Sequence, residues 1–240
     1  MTGTAQRTLI LWDIDRTLLY VGDIDRQVYR EAFAEVVGRP AGRLPARGTG
    51  VTMPVAIRSL LLDNGVSESV VPDPLPRMEE LLPKRLAAHT EDLLGQGVLM
   101  FGAVAALEAV QGHEWWVPTV VTGNLKSNAL LKLAAFNLDG YLDTEIGGFA
   151  SDDDHRPALV GIAQKRAQAK HGTSFTRANT VIIGDSVEDV RTGLEGGASV
   201  IGVDSGKTSA QDLKEAGANV VLASLDDVKH LIDAITSVTT

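Results

Sequence analysis

The stretch that decides the fold is Leu9-Ile10-Leu11-Trp12-Asp13-Ile14-Asp15-Arg16-Thr17, a short apolar run that leads into two aspartates spaced two residues apart. Residues i and i+2 of an extended backbone face the same side, so Asp13 and Asp15 are predicted to present both carboxylates to one spot. That spot lies at the carboxyl edge of a strand, where open α/β sheets bind ligands. A strand followed by an Asx-type turn would also place Asp and Thr here, and the rest of the chain has to separate the two interpretations.

The composition is that of a soluble globular protein with room for one large domain or a domain with an insert: 240 residues, 44% hydrophobic and 22% charged. A net charge of -9 argues against a broad nucleic-acid or anionic-membrane surface. The absence of cysteine excludes disulfides, cysteine nucleophiles and thiolate metal sites, so a metal would need oxygen or nitrogen ligands, and hard Mg²⁺ suits the carboxylates. We find no secretory signal and no apolar span of membrane length, which predicts a cytoplasmic protein without a membrane partner.

The organisation changes along the chain. Strands alternating with amphipathic helices are predicted after about residue 100, at 118–121, 180–183, 199–203 and 219–222, with a weaker strand near 144–146. This alternation is typical of an α/β fold with a doubly wound parallel sheet. Residues 20–95 are predicted to be helices and loops, so we expect a Rossmann-like core from residues 1–19 and 96–240 with a helical insertion at 20–95. Gly22-Asp23-Ile24-Asp25-Arg26 echoes the first motif but follows no apolar strand, and is interpreted as coincidence or a helix start.

Two more predicted strands end in polar residues. Val120-Val121 runs into Thr122-Gly123-Asn124 just before a predicted helix. A hydroxyl and free backbone N–H groups at a helix N-terminus can bind an anion. A plain helix N-cap would have the same residues, because Thr and Asn are favoured there. Ile182-Ile183 runs into Gly184-Asp185-Ser186-Val187-Glu188-Asp189. A capping box explains the serine and the last aspartate, but it does not explain Asp185 directly at the strand end.

Taken together, these motifs resemble those of the haloacid-dehalogenase (HAD) superfamily, with Asp-x-Asp-x-Thr at 13–17 as the first motif and Gly-Asp-Ser-x-x-Asp at 184–189 as the fourth. The resemblance implies that Asp13 attacks a phosphoryl group and that Asp15 protonates the leaving alcohol and later activates water. It also implies that Thr122, Gly123 and Asn124 hold the phosphate. Mg²⁺ would be held by Asp13, the backbone carbonyl of Asp15 and Asp185, with Asp189 either as a further ligand or just outside the ligand set.

The third family motif is a basic residue, usually lysine, that holds the phosphate and the nucleophile. The resemblance assigns this role to Arg156, which precedes Pro157 as the lysine of family members often precedes proline, while Lys165 remains the alternative. Arginine keeps the charge but is larger than lysine. A second departure is Arg16, where phosphatases of the family often have glycine.

The resemblance implies a helical cap of the first cap class and a Mg²⁺-dependent phosphomonoester hydrolase that forms an aspartyl-phosphate on a small phosphorylated metabolite. A sugar-phosphate mutase of the β-phosphoglucomutase type and a catalytically silent HAD-like binding module are the alternatives. For the cap, residues 48–52 with Arg43 and Arg47 are predicted to contact substrate, or else to form a solvated linker. The sequence gives no indication of an oligomeric state.

Overall fold

The structure is a computed structural model that describes residues 7–46, 50–205 and 207–239. Its strands are β1 Thr8–Trp12, β2 Leu19–Tyr20, β3 Val98–Leu99, β4 Trp116–Thr122, β5 Gly148–Phe149, β6 Thr180–Gly184, β7 Ser199–Val203 and β8 Val220–Leu222. Its α-helices are α1 Ile24–Val37, α2 Met53–Asp63, α3 Pro74–Ala88, α4 Thr90–Gln96, α5 Ala103–Gln111, α6 Lys126–Ala135, α7 Ala158–His171, α8 Val187–Gly196, α9 Ala210–Glu215 and α10 Val228–Val238.

Six of the strands form one parallel sheet in the order β5-β4-β1-β6-β7-β8. The first strand lies in the centre, with β4 on one side and β6 on the other. All five of its residues are buried and four of them are apolar, as a strand covered on both faces requires. Chain order reverses around β1, which makes its carboxyl end a topological switch point. The predicted doubly wound α/β fold is therefore confirmed.

The alternation of side chains along β1 shows how the two faces of the sheet are covered. Ile10 and Trp12 belong to one apolar cluster, and Leu9 and Leu11 belong to the other. The first cluster includes residues of α5, α6 and α10, and the second includes residues of α7, α8 and α9. Each face of the sheet is thus shielded by helices, as a parallel sheet requires.

The helical insertion is present as predicted and consists of α1 to α4. It is entered and left through β2 and β3, which pair antiparallel as a two-stranded ribbon. Its interior residues Phe33, Leu82 and Leu86 are fully buried and belong to the same apolar cluster as Trp12 of the core. Helix α3 contacts both α1 within the insertion and α6 of the core, so this helical cap packs directly against the core.

One predicted strand is wrong. Residues 144–146 form a turn, in which the Ile146 N–H donates to the Asp143 carbonyl at 3.3 Å, and the edge strand is β5, two residues later. Glycine explains this position, because a Cβ added to Gly148 would come within 2.4 Å of the Leu159 carbonyl oxygen of α7. None of the helices in the described residues is both long and apolar enough to span a membrane.

Candidate active site

The sheet register brings three of the predicted motifs to one edge. Trp12 pairs with Val120 on one side and with Ile183 on the other, so the residues that follow all three strands leave the sheet together. The Asp13 N–H donates to the Ile183 carbonyl at 2.9 Å, which extends the ladder by one residue and holds Asp13 at the strand end. Asp13, Thr122 and Asp185 are all buried there and line one cavity of about 170 Å³.

Arg156 is the basic residue that reaches this edge. Its side chain is only 3% exposed, and its Nη2 lies 2.7 Å from Asp13 Oδ1. The same nitrogen donates to Asp189, and Nη1 donates to the Gly50 carbonyl of the cap. Lys165, the alternative for this role, lies exposed on α7 and does not line the cavity. The structure thus places Arg156, and not Lys165, beside Asp13.

A cluster of buried acids lies around Arg156. Within the described part of the chain, Asp13, Asp185 and Asp189 offer carboxylate oxygens that all lie within 4.8 Å of one another, and the Asp15 carboxylate is outside this group. Burial, and then repulsion by Asp189, raises the pKa of Asp13 well above its usual range. The same two causes raise the pKa of Asp185 to about 7. Three acids with one arginine leave an excess of negative charge that a divalent cation would neutralise.

Asp189 caps α8 and also belongs to the cluster of buried acids. Its Oδ2 accepts hydrogen bonds from the backbone N–H and the hydroxyl of Ser186, at 2.9 and 2.6 Å, which completes the capping box of α8. Its Oδ1 accepts from Arg156. The capping residue is therefore also part of the charged cluster, and each of its oxygens already has a protein donor.

The Thr122-Gly123-Asn124 segment lies between β4 and α6, and Thr122 is buried at its start. The Asn124 N–H points at the Thr122 hydroxyl oxygen at 3.3 Å, and the Asn124 amide donates to the same oxygen at 2.9 Å. The second donor of this amide lies 2.6 Å from Asp15 Oδ2. The side chain of Asn124 therefore orients Asp15, a contact that the sequence did not predict.

Lys132 is one of the residues of this site that sequence reasoning missed. It lies on α6 and is fully buried, with Nζ 2.8 Å from Asp15 Oδ1 and 2.8 Å from Asp25 Oδ2. Burial alone would lower the pKa of Lys132, but attraction to the two carboxylates outweighs it and the pKa is raised. A lysine in an amphipathic helix is usually read as solvent-facing, and the usable signal was its spacing of eight residues from Asn124.

The cap closes the cavity from above. The Met53 N–H donates to the Gly123 carbonyl at 2.7 Å, and the Thr52 hydroxyl donates to the Asp154 carbonyl at 2.8 Å. Gly50 and Val51 line the cavity, as part of the predicted contact loop. Arg47, Gly48 and Thr49 lie outside the described residues, and Arg43 makes its hydrogen bonds with Asn64, away from the cavity.

Arg16, at the position where the resemblance led us to expect glycine, has a backbone conformation that favours glycine. Its φ is 67°, in the left-handed region that a side chain disfavours. The guanidinium lies 4.3 Å from the centre of the Tyr20 ring, and both residues line the cavity. Its positive charge also lowers the pKa of Asp185, against the larger opposing effects of burial and Asp189.

Comparisons with known proteins concern the family and the fold. Residues 156–228 match a family model described as HAD-hydrolase-like. Solved structures cover nearly the whole chain: a hydrolase from Pseudomonas syringae (22% identity, 96% of this chain and 99% of that one, TM-score 0.68) and a predicted phosphatase from Clostridium acetobutylicum (17%, 95% and 100%, 0.67). A candidate β-phosphoglucomutase from Thermotoga maritima is also similar (18%, 95% and 99%, 0.58). No curated protein matches the sequence.

The fold and the site define a class of protein, an α/β protein with a helical cap over an acidic cleft at the carboxyl edge of its sheet. The matches identify this class as the HAD-like hydrolase fold, and the resemblance that the sequence motifs predicted is confirmed.

Proposed function

We propose that this protein is a Mg²⁺-dependent phosphomonoester hydrolase that forms an aspartyl-phosphate on Asp13 and acts on a small phosphorylated metabolite of the cytoplasm. The observation that carries the proposal is the distance of 2.7 Å between Arg156 Nη2 and Asp13 Oδ1 at a switch point of the sheet. A nucleophile beside a fixed cation is the arrangement that phosphoryl transfer needs, because the transferring group is anionic.

The buried acids support a cation site. Carboxylates and main-chain carbonyls are the hard oxygen ligands that Mg²⁺ prefers. Asp13, Asp185 and the Asp15 carbonyl would hold the ion, and Asp189, whose oxygens accept from Ser186 and Arg156, would be a further ligand or would lie just outside the ligand set. The ion would supply positive charge that offsets repulsion between the nucleophile and the substrate phosphate.

In the first half of the proposed reaction, Asp13 forms a bond to phosphorus as the bond from phosphorus to the ester oxygen breaks. Arg156, Thr122 and the N–H groups of Gly123 and Asn124 would stabilise the phosphoryl oxygens. Asp15 donates its proton to the departing alkoxide, so that the alcohol leaves neutral.

In the second half, water attacks the phosphorus of the aspartyl-phosphate, and Asp15 accepts a proton from that water. The bond from phosphorus to Asp13 breaks, which releases inorganic phosphate and regenerates the Asp13 carboxylate. Asp15 is then protonated again and ready for the next cycle. The cap lines the cavity above these residues and limits the access of bulk water to the intermediate.

The test is hydrolysis of p-nitrophenyl phosphate by the purified protein, with Mg²⁺ or with EDTA, and with Asp13→Asn as the control for contamination. We expect Mg²⁺-dependent release that disappears in the variant, and mass spectrometry after acid quenching should find a phosphorylated peptide that contains Asp13. Hydrolysis at the native rate by Asp13→Asn would refute the mechanism. A labelled peptide together with phosphate transfer between positions of a sugar phosphate would identify a mutase. Mg²⁺ binding without turnover or label would identify a binding module.

A further inference from the structure

Lys132 is a charged side chain that the mechanism above does not use. It is fully buried, and a buried ammonium is tolerated only where its charge and its donors are satisfied. Its Nζ lies 2.8 Å from Asp15 Oδ1, 2.8 Å from Asp25 Oδ2 and 3.0 Å from Asn124 Oδ1. These three acceptors match the three donors of the ammonium group.

The partners of Lys132 hold one orientation of the Asp15 carboxylate. Lys132 binds its Oδ1, and Asn124 Nδ2 binds its Oδ2 at 2.6 Å. Asn124 is itself held, because its oxygen accepts from Lys132 and its amide also donates to Thr122. Both donors belong to the core, Asn124 in the loop between β4 and α6 and Lys132 on α6 itself, so the core sets the direction in which Asp15 faces the cavity.

Asp25 connects this arrangement to the cap. It lies in the first turn of α1, the first helix of the cap, and it lines the same cavity as Asp15. Burial raises the pKa of the Asp25 carboxyl, and Lys132 opposes that shift. Lys132 therefore joins the core, the proposed proton donor and the cap through a single nitrogen atom.

We propose that Lys132 is a positioning residue for Asp15: it holds this carboxylate in the orientation needed to protonate the leaving group, and Asp25 makes that orientation depend on the seating of cap helix α1. The inference rests on the proposed function. Lys132 would matter because proton transfer needs the Asp15 oxygen and the leaving-group oxygen within hydrogen-bond distance of each other. A carboxylate that is free to rotate spends less time in that geometry.

The substrates that reveal this role differ in leaving group. Phenolate is a poorer leaving group than p-nitrophenolate and depends more on protonation. We compare kcat/KM, because it reports the steps up to release of the alcohol and does not include hydrolysis of the aspartyl-phosphate. Lys132→Met should lower kcat/KM for phenyl phosphate about tenfold more than for p-nitrophenyl phosphate. Lys126→Met is the matched control on the same helix, where the side chain is half-exposed and pairs with Glu145.

A double-variant comparison separates positioning from general damage. If Lys132 acts through Asp15, Lys132→Met should cause no further loss with phenyl phosphate in an Asp15→Asn background. Losses that multiply in that background, or equal losses for the two substrates, would overturn the proposal. Thermal melting followed by circular dichroism establishes that each variant is folded.

If Lys132→Met does not fold, Asp25→Asn provides the test, because it keeps an oxygen for Lys132 and leaves the lysine paired with Asp15. A loss that is larger for phenyl phosphate than for p-nitrophenyl phosphate supports the link to the cap, and unchanged selectivity overturns it. Wild-type hydrolysis is measured first. If it is absent or independent of Asp13, the proposed function is wrong and this inference is wrong with it. If Asp13-dependent hydrolysis is present, equal losses for the two substrates in the variants refute only the role of Lys132 and leave the proposed function standing.

Discussion

Replacing Arg156 by methionine should destabilise the protein far more than a surface arginine would. The guanidinium is 3% exposed, and it pairs with Asp13 and Asp189, whose side chains are 8% and 1% exposed. Methionine fills part of the volume but carries no charge and no donors. The variant would bury two carboxylates without their cation, next to the third carboxylate of Asp185.

The size of the effect follows from this burial. Removing one partner of a buried ion pair typically costs about 3–5 kcal/mol, because the remaining charge stays desolvated. For a chain of this size each kcal/mol lowers Tm by about 2–4 °C, so we expect a fall of about 6–20 °C. Arg166→Met is the matched control, since Arg166 makes two hydrogen bonds of 2.7 Å to Asp152 but is 37% exposed. Such a pair is worth about 0–1 kcal/mol.

The assay is thermal and urea unfolding at pH 7 in EDTA, followed by circular dichroism. Repeating it with Mg²⁺ should recover part of the loss in Arg156→Met, because an ion bound to the native state adds about 2.7 kcal/mol at 100 times its Kd. The reasoning would be refuted if Arg156→Met and Arg166→Met lost equal stability in EDTA.

Three further predictions concern backbone strain, cap seating and pH. Arg16→Gly should be more stable to urea than Arg16→Ala by about 1 kcal/mol, because glycine accepts a φ of 67° and alanine does not; equal midpoints would contradict this. Gly123→Ala should raise KM for p-nitrophenyl phosphate, because the added Cβ would lie 2.7 Å from the Val51 carbonyl oxygen, just before α2 of the cap. Gly140→Ala, which has open space around it, is the control. An unchanged KM in Gly123→Ala would show that the cap adjusts freely. The hydrogen bond to Glu31 raises the pKa of His89 in the folded protein. The native protein should therefore be more stable than Glu31→Gln, fully so below about pH 6.5, and the difference should shrink as pH rises through the folded-state pKa of His89. A difference that does not change with pH from about 5.5 to 8.5 would exclude this linkage.

The sequence was informative wherever a local rule is strong. The apolar run before Asp13 predicted a strand, and the structure shows that this strand lies in the centre of the sheet, between β4 and β6. Proline after Arg156 favoured it over Lys165, and the buried contact with Asp13 agrees with that choice. The prediction at 144–146 was wrong because a two-residue edge strand has almost no pattern of its own, and its position depends on how closely Gly148 approaches α7.

The sequence by itself determined the fold class and the order of the motifs along it, because hydrophobic periodicity and strand-end residues are local properties of the chain. Only the tertiary structure decided that Lys132 is buried between Asp15 and Asp25, residues 117 and 107 positions away along the chain. It also decided that Asp25, in the stretch at 22–26 that was interpreted from sequence as coincidence or a helix start, lies in the first turn of α1 and lines the cavity. The physical reason is that the free energy of burying a charge depends on which opposite charges the fold brings within hydrogen-bond distance, and no local pattern records those partners.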